Sequence, residues 1–195
     1  MITFTNHKVL PEMEFGQYLS SPGYSNSFFK YNINGVMPTI DETPKMRLGS
    51  MVDAIITGGK SFPPNSASFQ QAKRIAMYML DKMPYLYQLK KQVGVTATAE
   101  YSGFTIHVKS LVDFVLPRIA TVEMKVCGIK SKDAEKHIEY MGYDNQCYIE
   151  RSCANVPKSY LLIYCAKSDD IFFSDRKTPT APDWMAEQIL KFGTA

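Results

Sequence analysis

Apolar residues recur along this chain with two periods, 3.6 and 2, and the alternation between them predicts a mixed helix and strand protein. Helical spacing comes first. Thr43 at a cap position and Pro44 at the first helical position open a helix that runs through Thr57 and stops at Gly58-Gly59. Leu48, Met51, Val52, Ile55 and Ile56 form its apolar stripe, and Asp53 lies at the stripe's edge, one turn from Gly49. A second helix is predicted from about Ser66 to Met83, with Ser68 and Gln71 at capping-box spacing and Phe69, Ala72, Ala76, Met79, Leu80 and Met83 recurring along one side. Pro84 breaks it, and Tyr85 to Val93 reads as a further short helix bearing Lys90 and Lys91.

The period then shortens to two. Glu100 sits on a strand that turns at Ser102-Gly103, and the chain up to Leu116 is mostly extended. Alternation puts Ile106, Val108, Val112 and Phe114 on one face and His107, Lys109, Leu111 and Asp113 on the other. Pro117-Arg118 turns the chain, and Ile119 to Cys127 returns with Val122, Met124 and Val126 on one face and Glu123 and Lys125 on the other. Ser131 opens a helix from Lys132 to about Ser152, weakened and kinked at Gly142, with Ile138, Met141, Cys147 and Ile149 as its buried positions. Tyr160 to Ala166 and Ile171 to Asp175 read as two more strands around a turn at Ser168-Asp169-Asp170, and Asp183 caps a terminal helix from Trp184 to Phe192. Residues 1 to 35 read as an irregular lead-in with a short helix near Asn26 to Tyr31. No repeat, low-complexity tract or linker interrupts the chain, so residues 1–195 are expected to form one α/β domain with a central mixed sheet flanked by helices.

Composition narrows the class only a little. With 45% hydrophobic residues in 195, the chain can bury a core of its own. A net charge of +3 is compatible with nucleic acid and far from specific for it. Cys127, Cys147, Cys153 and Cys165 lack zinc spacing and are expected to be free thiols in a reducing cytosol. No apolar run is long enough for a membrane span, and residues 1–10 lack a signal-peptide core, so a cytoplasmic protein is expected.

The charges on the hairpin turn the reading toward chemistry. A hairpin of this length places Asp113 beside Glu123, with Lys125 two residues on, so two carboxylates and an ammonium converge at a sheet edge. Carboxylates suit Mg²⁺ or Mn²⁺, hard cations bound by a few oxygens plus substrate phosphate, and the Met124 main-chain carbonyl could supply another oxygen. Lys125 could then orient or deprotonate an attacking water and offset charge on a phosphorane. A solvated strand face with an incidental ion pair would give the same E-x-K pattern. Lys73, Arg74, Lys90 and Lys91 could touch phosphates or simply face solvent. His7, His107 and His137 share no spacing and are not assigned to metal, although His107 lies on the Asp113 face.

Several blocks in order then resemble one family. They are Tyr24-Ser25-Asn26-Ser27 with Phe28-Phe29-Lys30, the run Met46-Arg47-Leu48-Gly49-Ser50-Met51-Val52-Asp53-Ala54, the strand from Val108 to Asp113, Val122-Glu123-Met124-Lys125, and Tyr143-Asp144-Asn145-Gln146. Together they cover most of residues 18 to 150 and resemble the RecE-type, or exonuclease VIII-like, PD-(D/E)xK nucleases. There an S-x-S-like opening precedes an L-G-[ST]-x-x-H helix, a G-x-x-D strand, a D-x-K or E-x-K strand and a Y-x-x-Q helix. The chain departs from that pattern at three points. Asp53 replaces the helix histidine, Ser110 replaces the glycine, and Glu150 stands where a Q-x-x-x-Y pattern from Gln146 would have tyrosine.

The resemblance implies a restriction-endonuclease-like fold and metal held by Asp53, Asp113, Glu123 and the Met124 carbonyl. Catalysis would fall to Asp113, Glu123, Lys125 and Gln146, the last positioning the lysine or a phosphate. Related nucleases sometimes use an acid near Glu100 as a further ligand. It further implies a DNA exonuclease acting on duplex ends, 5′ to 3′, in phage or prophage recombination, as a ring-shaped homo-oligomer with a single-strand annealing protein as possible partner. A nuclease-fold DNA-binding protein without turnover and a structure-selective endonuclease are the alternatives. No nucleotide-binding loop occurs, so ATP is not expected to be required.

Overall fold

A computed structural model describes residues 1–10, 13, 15–29, 43–58, 62–176 and 181–195. Six strands form one sheet in sequence order: β1 (Thr3–Leu10), β2 (Lys90–Tyr101), β3 (Phe104–Leu116), β4 (Ala120–Cys127), β5 (Lys158–Cys165) and β6 (Asp170–Asp175). Neighbours are antiparallel except β4 and β5, which run parallel. The expected mixed sheet is present, with helices on both faces. They are α1 (Phe15–Ser20), α2 (Pro44–Thr57), α3 (Ala67–Lys82), α4 (Ala134–Met141), α5 (Tyr143–Ala154) and α6 (Asp183–Phe192).

Local chemistry accounts for most boundaries. Thr43 accepts the Met46 N–H and caps α2, which ends at Gly58; Gly59 lies outside the described residues. Ser66, not Ser68, caps α3 by accepting the Phe69 N–H. At the β2–β3 turn, Ser102 (φ 53°) and Gly103 (φ 84°) both take positive φ, as a two-residue hairpin requires. Gly142, at φ 66°, ends α4 outright, so the single kinked helix expected from Lys132 to Ser152 is two helices preceded by a 3₁₀ turn. The terminal helix begins at Asp183 with Pro182 in the cap position.

Two further expectations fail. Tyr85 to Val93 is a 3₁₀ turn, Pro84–Gln88, followed directly by β2, so Lys90 and Lys91 begin a strand. Pairing with β3 over a long antiparallel ladder outweighs the local helical pattern. The lead-in is not wholly irregular, because Thr3–Leu10 pairs with β2 as an edge strand and α1 follows it. The helix near Asn26 is present at residues 26–29, while Lys30 and Tyr31 lie outside the described residues.

The core has three parts. Val93, Val95, Ala97, Ala99, Ile106, Val108 and Val112 pack against Phe29, α5 and α6. Phe114, Val122, Met124, Leu162 and Tyr164 pack on α2 and α3. Cys127, Leu161, Ile163 and Cys165 face α4 and Cys147 of α5. Covered on both faces, β5 reads as the unbroken apolar run Tyr160–Cys165. All four cysteines are buried and free. Among the described residues no helix is long and apolar enough to cross a membrane.

Candidate active site

The site forms where the sheet divides. β3 and β4 pair only at Phe114 with Val122, Val115 with Thr121, and Leu116 with Ala120. Beyond Phe114 and Val122, β3 continues along β2 while β4 follows β5, and the strands part like a fork. Asp113 and Glu123 are the first residues past the last pair. The Met124 N–H points into the gap and donates to Asp113 Oδ2 at 2.8 Å, so a carboxylate completes the ladder where the β3 main chain has left. A strand residue directs its N–H and C=O to the same side, so the Met124 carbonyl faces the fork as well.

A flat strand would put Val112 and Phe114 on one face, as alternation predicts. They belong instead to different parts of the core, Val112 with α5 and α6 and Phe114 with α2 and α3. The strand therefore rolls through Asp113, and Gln92 on the neighbouring strand takes φ 50° at the same level.

Glu123 is only 3% exposed and is held from two sides. Lys125 Nζ forms a short ion pair with its Oε1, and Gln146 Nε2 from α5 donates to the same oxygen at 2.6 Å. Gln146 Nε2 also donates to Glu150 Oε1 at 2.8 Å, one turn along α5. Its amide thus bridges two carboxyl groups. Glu150 is completely buried, and the second oxygens of both Glu123 and Glu150 are buried without a hydrogen-bond partner. The Lys125 ammonium also lies 5.6 Å from the centre of the Tyr143 ring, a cation–π contact from the first turn of α5.

Asp53 closes the site from α2. Gln92 Nε2 lies 3.4 and 3.5 Å from its two carboxylate oxygens and 3.4 Å from Thr57 Oγ1, and Thr57 in turn donates to the Asp53 main-chain carbonyl at 2.8 Å. Lys91, next to Gln92, donates to the Ile56 carbonyl at 2.9 Å and ties the end of α2 to β2.

The carboxyl groups disturb one another strongly. Burial and then the charge of Glu123 raise Asp53 to about 6. The same two causes, in the same order, hold Asp113 and Glu150 well above the carboxylate range. Burial alone would lower Lys125, but the charges of Glu123 and Asp113 outweigh it and keep the ammonium above its ordinary value. Lys125 is therefore a proton donor and point charge in this state, not a base.

A hard divalent cation suits this donor set, because it would satisfy the partnerless Glu123 oxygen and offset the repulsion that raises Asp53 and Asp113. The set is not closed around one point: among the described residues no three His, Cys, Asp or Glu side chains converge as ligands, since Glu123 is turned onto Lys125 and Gln146.

Five residues expected at a site, Asp53, Asp113, Glu123, Lys125 and Gln146, come together with the Met124 main chain. Glu100 does not. It is exposed and pairs with Thr105 at the hairpin end, eight residues or about 27 Å along β3 from Asp113. His107 is exposed toward that same end. Arg74 pairs loosely with Asp169 at 3.7 Å on the outer face of α3. Two residues of the site had no role in the sequence reading. Glu150 stood out only as a departure from a tyrosine pattern, and Gln92 gave no signal at all, since its place depends on the roll of β3.

No protein-family model matches the chain, and no curated protein sequence matches it. Solved structures do. A candidate exonuclease from Eubacterium rectale superposes with a TM-score of 0.55 at 20% identity, covering 83% of this chain and 67% of that one. The chain has the restriction-endonuclease-like fold. An alkaline exonuclease from Laribacter hongkongensis matches with a TM-score of 0.40 at 11% identity, over 87% of this chain and 82% of that one.

Proposed function

We propose that this chain is a metal-dependent nuclease that hydrolyses DNA phosphodiester bonds from duplex ends. The observation that carries the reading is the convergence of Asp53, Asp113, Glu123, Lys125 and Gln146 on the fork between β3 and β4. A structural ion pair would not need a second buried carboxyl beside it, nor a partnerless carboxylate oxygen.

Asp53, Asp113 and Glu123 would hold Mg²⁺ or Mn²⁺ together with the Met124 carbonyl. Such an ion supplies Lewis-acid polarisation of the phosphoryl oxygen and a more acidic bound water. The protein's own groups divide the remaining work. Protonated Lys125 donates to the attacking water or to a phosphate oxygen and stabilises charge that grows in the transition state. Its direction is set by Glu123 and the Tyr143 ring. Gln146, committed to Glu123 and Glu150, fixes the Glu123 carboxylate rather than binding phosphate itself.

The likeness of the sequence blocks to RecE-type nucleases extends the proposal to 5′-to-3′ digestion, a ring-shaped homo-oligomer, an annealing-protein partner and a role in phage or prophage recombination. The test is incubation of the purified protein with linear and closed circular duplexes in Mg²⁺ or Mn²⁺. Loss of the linear form with the circle intact is the expected result. Nicking of the circle makes the protein an endonuclease on the same core, and binding without cleavage of either overturns the enzyme reading.

A further inference from the structure

Tyr143, Gln146 and Glu150 stand at i, i+3 and i+7 along α5 and so share one stripe of that helix. Arg176 fixes the stripe's first turn, donating to both oxygens of Asp144 at 2.7 and 2.9 Å. Tyr143 and Gln146 reach Lys125 and Glu123 directly. Glu150 lies one turn further on and is 0% exposed, and Ile149 and Cys153 beside it in sequence belong to the apolar layer against β2 and β3. A carboxyl in such a place costs stability unless its oxygens are hydrogen-bonded, and only one of the two is. An apolar side chain of similar length would serve folding better there.

What Glu150 does follows from the valences of the Gln146 amide. An amide nitrogen has two N–H donors. One goes to Glu123 Oε1 at 2.6 Å and the other to Glu150 Oε1 at 2.8 Å, so the nitrogen has none left. Two carboxyl acceptors also fix which end of the amide faces inward, because its carbonyl oxygen would meet oxygen at either contact. Glu123 Oε1 receives Lys125 as well, so both donors sit on one oxygen of that carboxylate. Among the described residues its Oε2 has no partner. Without an acceptor at position 150, the second N–H of Gln146 would be left to find one, and Glu123 Oε2 is an unused acceptor on the carboxylate it already holds.

We propose that Glu150 is a positioning residue: by claiming the second N–H of Gln146, it keeps Glu123 Oε2 open for a divalent cation. The inference rests on the metal-dependent nuclease reading, and goes beyond it by giving a role to a group that touches neither metal nor substrate.

The test titrates Mn²⁺ by calorimetry into the parent, Glu150→Met, Glu150→Asp, Glu150→Gln, and Gln146→Ala with and without Glu150→Met, and melts each protein in EDTA. Glu150→Met and Glu150→Asp, which lacks the reach, should each weaken Mn²⁺ binding about tenfold, whereas Glu150→Gln, with an acceptor oxygen at the same reach, should stay within about twofold of the parent. Glu150→Met should melt no lower than the parent, since it removes a buried partnerless oxygen. On the Gln146→Ala background it should change Mn²⁺ affinity no further, because its effect passes through that amide. If Glu150→Met does not fold, Glu150→Asp and Glu150→Gln decide. Unchanged affinity in Glu150→Met or, failing that variant, in Glu150→Asp overturns the inference and leaves the nuclease reading standing. So does Glu150→Gln binding as weakly as Glu150→Asp, or a further loss on the Gln146→Ala background. A parent that binds no Mn²⁺ overturns both.

Discussion

Asp53→Asn separates a cation site from a structural cluster, because it predicts a gain in stability where most substitutions of half-buried residues give a loss. The carboxyl sits at about 6 instead of 3.8, raised by burial and by Glu123. At about 1.36 kcal/mol per pH unit, that is roughly 3 kcal/mol of folding free energy lost once Asp53 is ionised. The sign follows from the direction of the change. Below pH 3.8 the group is protonated in folded and unfolded chains alike and contributes nothing. As the pH rises toward 6 the unfolded chain releases its proton first and stability falls, and above about 6 the whole penalty is present. In EDTA at pH 8, Asp53→Asn should therefore melt about 6 to 12 °C above the parent, at roughly 2–4 °C per kcal/mol for a chain of this size. The gain should vanish near pH 3.5. Adding Mg²⁺ should reverse the order, since a ligand at a thousand times its Kd stabilises the parent by about 4.1 kcal/mol, more than the ionisation penalty, while the variant has lost a ligand. Equal melting of the two proteins in EDTA at pH 8, or a gain that persists at pH 3.5, would refute the electrostatic account.

Three further outcomes are expected. Lys125→Ala should lower kcat by about 10²–10³ while calorimetry still detects divalent-metal binding, since its role is charge stabilisation and not ligation. Asp113→Ala should lose both metal and about 1–3 kcal/mol of stability, because the Met124 N–H is left without its acceptor, whereas Asp113→Asn should recover most of the stability and none of the metal binding in urea titrations and calorimetry. Gln92→Ala should weaken metal binding about tenfold in the parent and leave it unchanged in an Asp53→Ala background, as expected if Gln92 acts by orienting that carboxylate.

The grouping of the charged side chains on the hairpin was more legible in the sequence than the packing around them. Asp113 and Glu123 could be placed together because the short turn at Pro117-Arg118 is a local rule, and Lys125 joins Glu123 because alternation holds along β4. Helix ends marked by Thr43, Pro44 and Gly58 were legible for the same reason. Errors appeared where distant partners decide. Lys90 to Val93 has a helical look that only the β3 ladder overrules, and Thr3–Leu10 is a strand only because β2 is there to pair with it. The roll of β3 at Asp113, which moves Phe114 to the opposite side of the sheet from Val112, is invisible to a period-two reading. Glu150 shows the limit from another side. A glutamate in place of tyrosine is an oddity in the sequence, but only burial and the Gln146 bridge make it a member of the site.

The two-sided burial of β4 has a consequence for how the protein reaches its native state. Val122, Met124 and Val126 face one apolar layer and Glu123 and Lys125 the other, and the parallel partner β5 offers nearly uninterrupted apolar residues at every step. On its own β5 could accept β4 shifted by one residue almost as well. Such a slip would drive a glutamate and a lysine into the layer of Met51, Val52 and Met79, away from Gln146 and Asp113. The charges gathered at the fork therefore also police the folding of the strand that bears them, and chains in the wrong alignment are sorted out by solvation energy before the native state is reached.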